Sequence, residues 1–409
     1  MRCPDTMSSL PRWTRSRGRG SRARSAKARV AALATLCLAL ASRSSGGSGE
    51  LAAQEIDRNV PQPDTTRHSV PLQGIVFDTF LPTGKAVPLT EASPALIERL
   101  RDAIPPLHHP RYESAHDAFW LRDGDMVIGY ASGEKAWAFP VRILNFHEIV
   151  NDTLAGRPVL VSYCPLCASG IVFDRRVGAD TLSFGNTSAL YESDMVMVDY
   201  QTGSYWWQVA GEAIVGPRTG ARLDLLPSAT MRWEEWRKLH PGSRVLSHDT
   251  GYRRSYAYDP FVGYAERLDR GGFAFPVSGA ARDDRLPASA RVLAVELGGE
   301  SRAYPLGPSL PRVVMDRLGG EPIVIFTAED GTSAMAYRAA LRDRELRFAV
   351  GDSAIVDRSG SRWNLAGEAI GGTLRGSRLT PVPAMTAYWF AVVASDPGIR
   401  VYDRAARRR

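Results

Sequence analysis

The stretch Pro158-Val-Leu-Val-Ser-Tyr163-Cys164-Pro165-Leu166-Cys167-Ala168-Ser169-Gly170-Ile-Val-Phe-Asp-Arg175 decides the fold. Two short runs rich in Val, Ile and aromatic residues flank a Cys-Pro-Leu-Cys turn, and such runs bounded by Gly, Pro or Asp read as strands. The same pattern continues outward over 125–130, 136–141, 181–184 and 195–200. Helical spacing is rarer. It occurs over 94–104, with Leu96, Ile97, Leu100 and Ile104, and over 231–239, with Trp233, Trp236 and Leu239. Strands do not alternate with helices and Gly-rich phosphate loops, so a doubly wound nucleotide fold and a nucleotide cofactor are not expected. The expected class is α+β, predominantly antiparallel β with few helices.

Working outward again, the chain resembles itself. Ala138-Phe139-Pro140 recurs as Ala303-Tyr304-Pro305, and Asp152 before Gly156 recurs as Asp316 before Gly320. Gly211-Glu212-Ala213-Ile214 recurs unchanged as Gly367-Glu368-Ala369-Ile370, with Trp207 and Trp363 each four residues upstream. Ordered matches of this length predict two tandem homologous modules, 71–254 and 255–402, followed by a basic tail, 403–409. Three features of the first copy have no counterpart in the second. Cys164 and Cys167 fall opposite Ala328 and Gly331, and His147-Glu148 falls near Pro311-Arg312. The first copy is also eight residues longer between Phe184 and Trp207, which predicts an extra loop over 191–198 containing Glu192, Asp194, Met195 and Met197. The first module is therefore expected to carry the site, and the second to support it.

The amino terminus sets the compartment. The first 29 residues carry nine Lys or Arg against Asp5 alone, and an apolar run from Val30 to Ala41 follows, ending in Ala39-Leu40-Ala41. A basic segment, an apolar run too short to span a bilayer and a small-x-small site predict a signal peptide over 1–41 and export to the periplasm or beyond. Residues 42–70, rich in Ser, Gly, Pro, Asp and Thr, are expected to form a flexible linker. Cleavage takes the net charge from +7 to about −1. The basic balance thus belongs to the leader, and neither a nucleic-acid partner nor a membrane span after cleavage is expected.

Cleavage also removes Cys3 and Cys37, so thiol chemistry must pass through Cys164 and Cys167. A disulfide across two residues removes little unfolded-state entropy, so stability alone explains the spacing poorly. A thiol-disulfide oxidoreductase would use the pair with His147 or Glu148 as proton carrier, but a strand follows the turn where a thiolate-activating helix would be needed. A metal knuckle fits the turn better. His147 is the expected third ligand and Asp194, Met195 or Met197 the fourth, around zinc or, if Cys, His and Met act together, copper. A binding scaffold with a stapled turn is the remaining alternative. His147-Glu148 is not a helical zinc-protease motif, because Asn151 stands where its second His would be. Trp206 is expected to line a pocket and Trp207 to be core.

The blocks Phe139-Pro140 with Ile143-Leu144, His147-Glu148-Ile149-Val150-Asn151-Asp152, Tyr163-Cys164-Pro165-Leu166-Cys167 and Ser193-Asp194-Met195-Val196-Met197 together resemble a prokaryotic family known only as domain of unknown function number 3179. Ala168 stands where similar members have Gly, and His108-His109 replaces an acidic stretch. The resemblance implies kinship without implying an activity.

Overall fold

The computed structural model describes residues 59–403 apart from 82–83, 343 and 352–353. The expected leader, the first part of the linker and all but the start of the basic tail lie outside the described residues. From 59 onward the expected tether is packed. Val60 is buried, and Ser69 N–H donates to Ile214 O at 3.0 Å. A Pro-rich extended segment with one apolar anchor can dock along a sheet edge without forming an element of its own.

The fold is α+β and mainly β, with five α-helices and 12% helix. Helix α1 (Pro94–Leu100) precedes strands β1 (Met126–Ser132) and β2 (Lys135–Pro140), and helix α2 (Val141–His147) follows directly. A three-stranded meander comes next: β3 (Ile149–Leu154), β4 (Arg157–Cys164) and β5 (Ser169–Asp174). Then come β6 (Phe184–Tyr191), β7 (Asp194–Asp199), β8 (Tyr205–Trp207), β9 (Glu212–Val215) and β10 (Ser228–Arg232), and after them helix α3 (Trp233–Leu239) and β11 (Arg244–Leu246). Helix α4 (Tyr264–Leu268) lies in the connecting segment. The second half runs β12 (Arg291–Leu297), β13 (Glu300–Pro305), β14 (Val313–Leu318), β15 (Glu321–Thr327), β16 (Ala334–Arg338), β17 (Phe348–Val350), β18 (Ile355–Asp357), β19 (Arg362–Trp363), β20 (Ala369–Gly371) and β21 (Ala384–Tyr388), then helix α5 (Trp389–Ser395) and β22 (Arg400–Val401).

Both halves use the same pairings. The hairpin β1–β2 is flanked by β10 and, in parallel, by β11, as β12–β13 is flanked by β21 and, in parallel, by β22. Asp152 pairs with Val159 and Asp316 with Ile323. Trp206 pairs with Ala213 and Trp363 with Ala369, and each indole N–H donates to an aspartate, Asp199 or Asp357, at 2.9 Å. The geometric counterpart of Trp363 is therefore Trp206. The first half has one extra residue after this tryptophan, which shifts an alignment made on Gly-Glu-Ala-Ile. Trp206 is fully buried and lines no open pocket, and Trp207 is 8% exposed.

The halves share one sheet. The meander β3–β4–β5 continues the sheet of the second half, with Gly170 of β5 pairing Thr386 of β21. The connecting segment also crosses the seam. Tyr264 and Leu268 of α4 and Ala281 share one buried cluster with Cys164, Cys167 and Met195, so residues counted with the second module pack on the first. No helix among the described residues is long and apolar enough to cross a membrane.

The sequence pattern predicts a strand over 136–141 and no element over 142–147, where the structure has β2 ending at Pro140 and helix α2. Pro140 suits the residue before a first helical turn, and Ile143, Leu144 and Phe146 are buried, so the segment lacks the polar face that reveals a surface helix. The expected loop over 191–198 is instead the end of β6, a turn at Glu192-Ser193 and most of β7. Strand β6 has 8 residues where β17 has 3. Most of the extra length in the first half thus extends a hairpin.

Candidate metal centre

Cys164 ends β4 and pairs with Ser169, the first residue of β5. Within the turn, Cys167 N–H donates to Cys164 O at 3.2 Å. Ala168 closes it at φ +47°, the left-handed region that glycine adopts most easily, so this chain accepts the strain a Cβ adds there. The corresponding turn of the second half has Gly331 N–H on Ala328 O at 3.0 Å and no sulfur.

The extended hairpin supplies the third group. Asp194 opens β7, and its carboxylate oxygen and the sulfurs of Cys164 and Cys167 all lie within 4.8 Å of one another. All three side chains are buried. Val209 N–H donates to Asp194 Oδ2 at 2.9 Å, while Oδ1 has no hydrogen-bond donor. Val209 is itself held through its neighbour. Gln208 accepts the Ser169 hydroxyl at 2.8 Å and donates to Ser162 Oγ at 3.0 Å.

Glu148 lies beside this group. It caps α2 at φ +57°, and its Oε2 accepts Asn186 Nδ2–H at 2.6 Å. Burial pushes the Glu148 carboxyl up to about 8 and that of Asp194 up to about 6, and the Asp194 charge pushes Glu148 further in the same direction. Burial also raises both thiols, Cys167 well above its ordinary value. The charged groups acting most strongly on these four side chains are acids, and no Lys or Arg is among them. Without a cation the pocket holds mainly neutral, protonated groups.

His147, the expected third ligand, is directed elsewhere. Its Nδ1 meets Pro105 O at 2.8 Å and its Nε2 meets the Tyr256 hydroxyl at 2.7 Å. A carbonyl only accepts, so Nδ1 carries the proton and Nε2 accepts from Tyr256, which leaves no lone pair for an ion. Burial lowers the His147 pKa to about 4 and keeps the ring neutral. Met195 turns its sulfur to Asn186 Nδ2–H at 3.5 Å, on the Glu148 side of the group, and Met197 is core. His109 pairs with Asp152 at 3.0 Å. Asn186 and Val209, which orient the acids, carry no sequence signal because each acts through one amide in an ordinary strand or loop.

A mainly β, α+β protein with, among the described residues, one buried dithiol and carboxylate group is the class these observations define. The chain belongs to the family described as Protein of unknown function (DUF3179), whose model matches residues 101–398. Comparison with curated proteins and with solved structures finds no match.

Proposed function

We propose that this is an exported metal-binding protein whose first half holds one zinc-class divalent ion through Cys164, Cys167 and Asp194. The observation that carries the reading is the convergence of three buried acidic ligand atoms within 4.8 Å of one another with one carboxylate oxygen left without a donor. Tetrahedral zinc with bonds of about 2.3 Å to sulfur sets its two thiolates roughly 3.8 Å apart, inside that envelope. A carboxylate in place of imidazole and thioether favours zinc over copper, since a hard oxygen suits a borderline ion better than a soft one. The basic and apolar runs of the leader support export, and the repeated pairings of the two halves support an internal duplication in which only the first copy gained the site.

The thiol-disulfide alternative has less support. A nucleophilic thiol needs a lowered pKa, and burial raises both of these. Titration of the reduced chain with Co²⁺ tests the reading. Thiolate-to-cobalt absorption should saturate at one ion per chain, disappear in Cys164→Ser, weaken at least tenfold in Asp194→Asn and persist in His147→Gln. Saturation that survives Cys164→Ser would reject the site.

A further inference from the structure

Arg291 is a partly buried cation that no carboxylate engages by ion pair or hydrogen bond among the described residues. It opens β12 directly across from Tyr388, the last residue of β21, and Tyr388 N–H donates to Cys167 O at 2.7 Å. Such cross-strand neighbours carry their Cβ atoms about 5 Å apart. Tyr163, 8% exposed, immediately precedes Cys164. The groups acting electrostatically on the Arg291 guanidinium are Tyr163, Tyr388 and, least, Asp330. Among the described residues, no hydrogen bond or ion pair engages that guanidinium or either tyrosine hydroxyl, and Asp330 is taken by Arg232 at 2.9 Å. Three donors therefore gather beside the turn with nothing to accept from them.

The other turn shows what fits. There Arg232 and Met126 are the cross-strand pair that corresponds to Tyr388 and Arg291. The carboxylate that Arg232 binds comes from Asp330, two residues after Ala328 in the turn. The same place in the first turn is Leu166, two residues after Cys164. One turn supplies a carboxylate to the arginine of the neighbouring sheet, and the other presents an arginine and supplies none.

We propose that Arg291, Tyr163 and Tyr388 form a binding site for a small carboxylate anion, which takes the place that Asp330 fills in the second turn. The planar fork of a guanidinium matches the two oxygens of a carboxylate, and the tyrosine hydroxyls add two neutral donors. A doubly charged phosphate fits less well. Asp259, held by Asn145 Nδ2–H at 3.3 Å and Phe261 N–H at 2.9 Å, acts on both tyrosines, and Glu266 acts on Tyr388, so a second negative charge is opposed. Burial lowers the Arg291 pKa without removing its charge at neutral pH.

The experiment is thermal unfolding of the mature chain in acetate, phosphate or chloride at one ionic strength. Acetate should raise Tm saturably, phosphate should do so at least tenfold less effectively, and Arg291→Gln should abolish the acetate effect with little change in Tm in chloride. Leu166→Asp, which supplies the missing carboxylate from the turn, should raise Tm in chloride and weaken the response to acetate at least tenfold. The absence of a saturable acetate effect, an undiminished effect in Arg291→Gln or Leu166→Asp, or a stronger effect of phosphate would overturn the proposal.

Discussion

Glu148 shows how a single carboxyl makes the fold depend on pH. Its folded pKa of about 8 lies above the ordinary 4.5, so the folded chain binds a proton that the unfolded chain has released. Stability of the ion-free protein therefore falls as pH rises through that range. His147 acts in the opposite direction, but only between about 4 and its ordinary 6.5, and Asp194 is largely ionised above about 6. From pH 6.5 to 8 Glu148 dominates, and the expected loss is about 2 kcal/mol. Urea unfolding in chelator should show that loss in the native sequence and little of it in Glu148→Gln; equal stability at both pH values would reject this assignment. The sequence made the dithiol legible, because Cys164 and Cys167 are the only cysteines beyond the basic and apolar runs of the amino terminus. It made Asp194 legible because the stretch between Phe184 and Trp207 is longer than the similar stretch before Trp363. It misdirected His147, because ring nitrogens that pair with Pro105 and Tyr256 do so across 42 and 109 residues of chain.

Among the elements, the hairpin β6–β7 and the connecting segment with α4 close the site together. Glu192 and Ser193 form the hairpin turn at positive φ, and both grip the covering segment. Phe275 N–H donates to Ser193 Oγ at 3.3 Å and Ser278 N–H to Glu192 Oε2 at 2.7 Å. An ion that fixes Asp194 therefore also fixes the turn that holds the cover. Removing the ion should increase amide hydrogen exchange over 264–278 at least tenfold, while exchange in β14–β16 stays unchanged. Equal protection in both states would separate the cover from the site. Most strands were legible as short β-branched or aromatic runs between turn residues. Helices α2 and α5 were less so, because Ile143, Leu144 and Phe146, and likewise Trp389, Phe390, Ala391, Val392 and Val393, are buried without a polar face to set a period.

Across the molecule, the first half lends its meander to the sheet of the second, whereas the second meander, β14–β16, stays a separate sheet that touches the first half through Arg232–Asp330 and Ser333–Glu235, and the dithiol turn sits where the first meander meets β21 and α5. Phe390 and Ala391 of α5 belong to the same buried cluster as Cys164 and Cys167. This one-way pairing was not legible from the chain's self-similarity, which shows which residues resemble which and is silent on which strands pair. It explains why a site confined to first-half ligands is covered by second-half residues, and why metal loading should be read in the intact chain. Native and denaturing mass spectrometry of the protein collected outside the cytoplasm separates a bound ion from a disulfide between Cys164 and Cys167. An exported zinc protein gives a denatured mass matching residues 42–409 with both thiols reduced, and a native mass heavier by one zinc ion. A native mass equal to the denatured mass, or a chain lighter by the two hydrogens of a Cys164–Cys167 disulfide, would contradict the zinc reading.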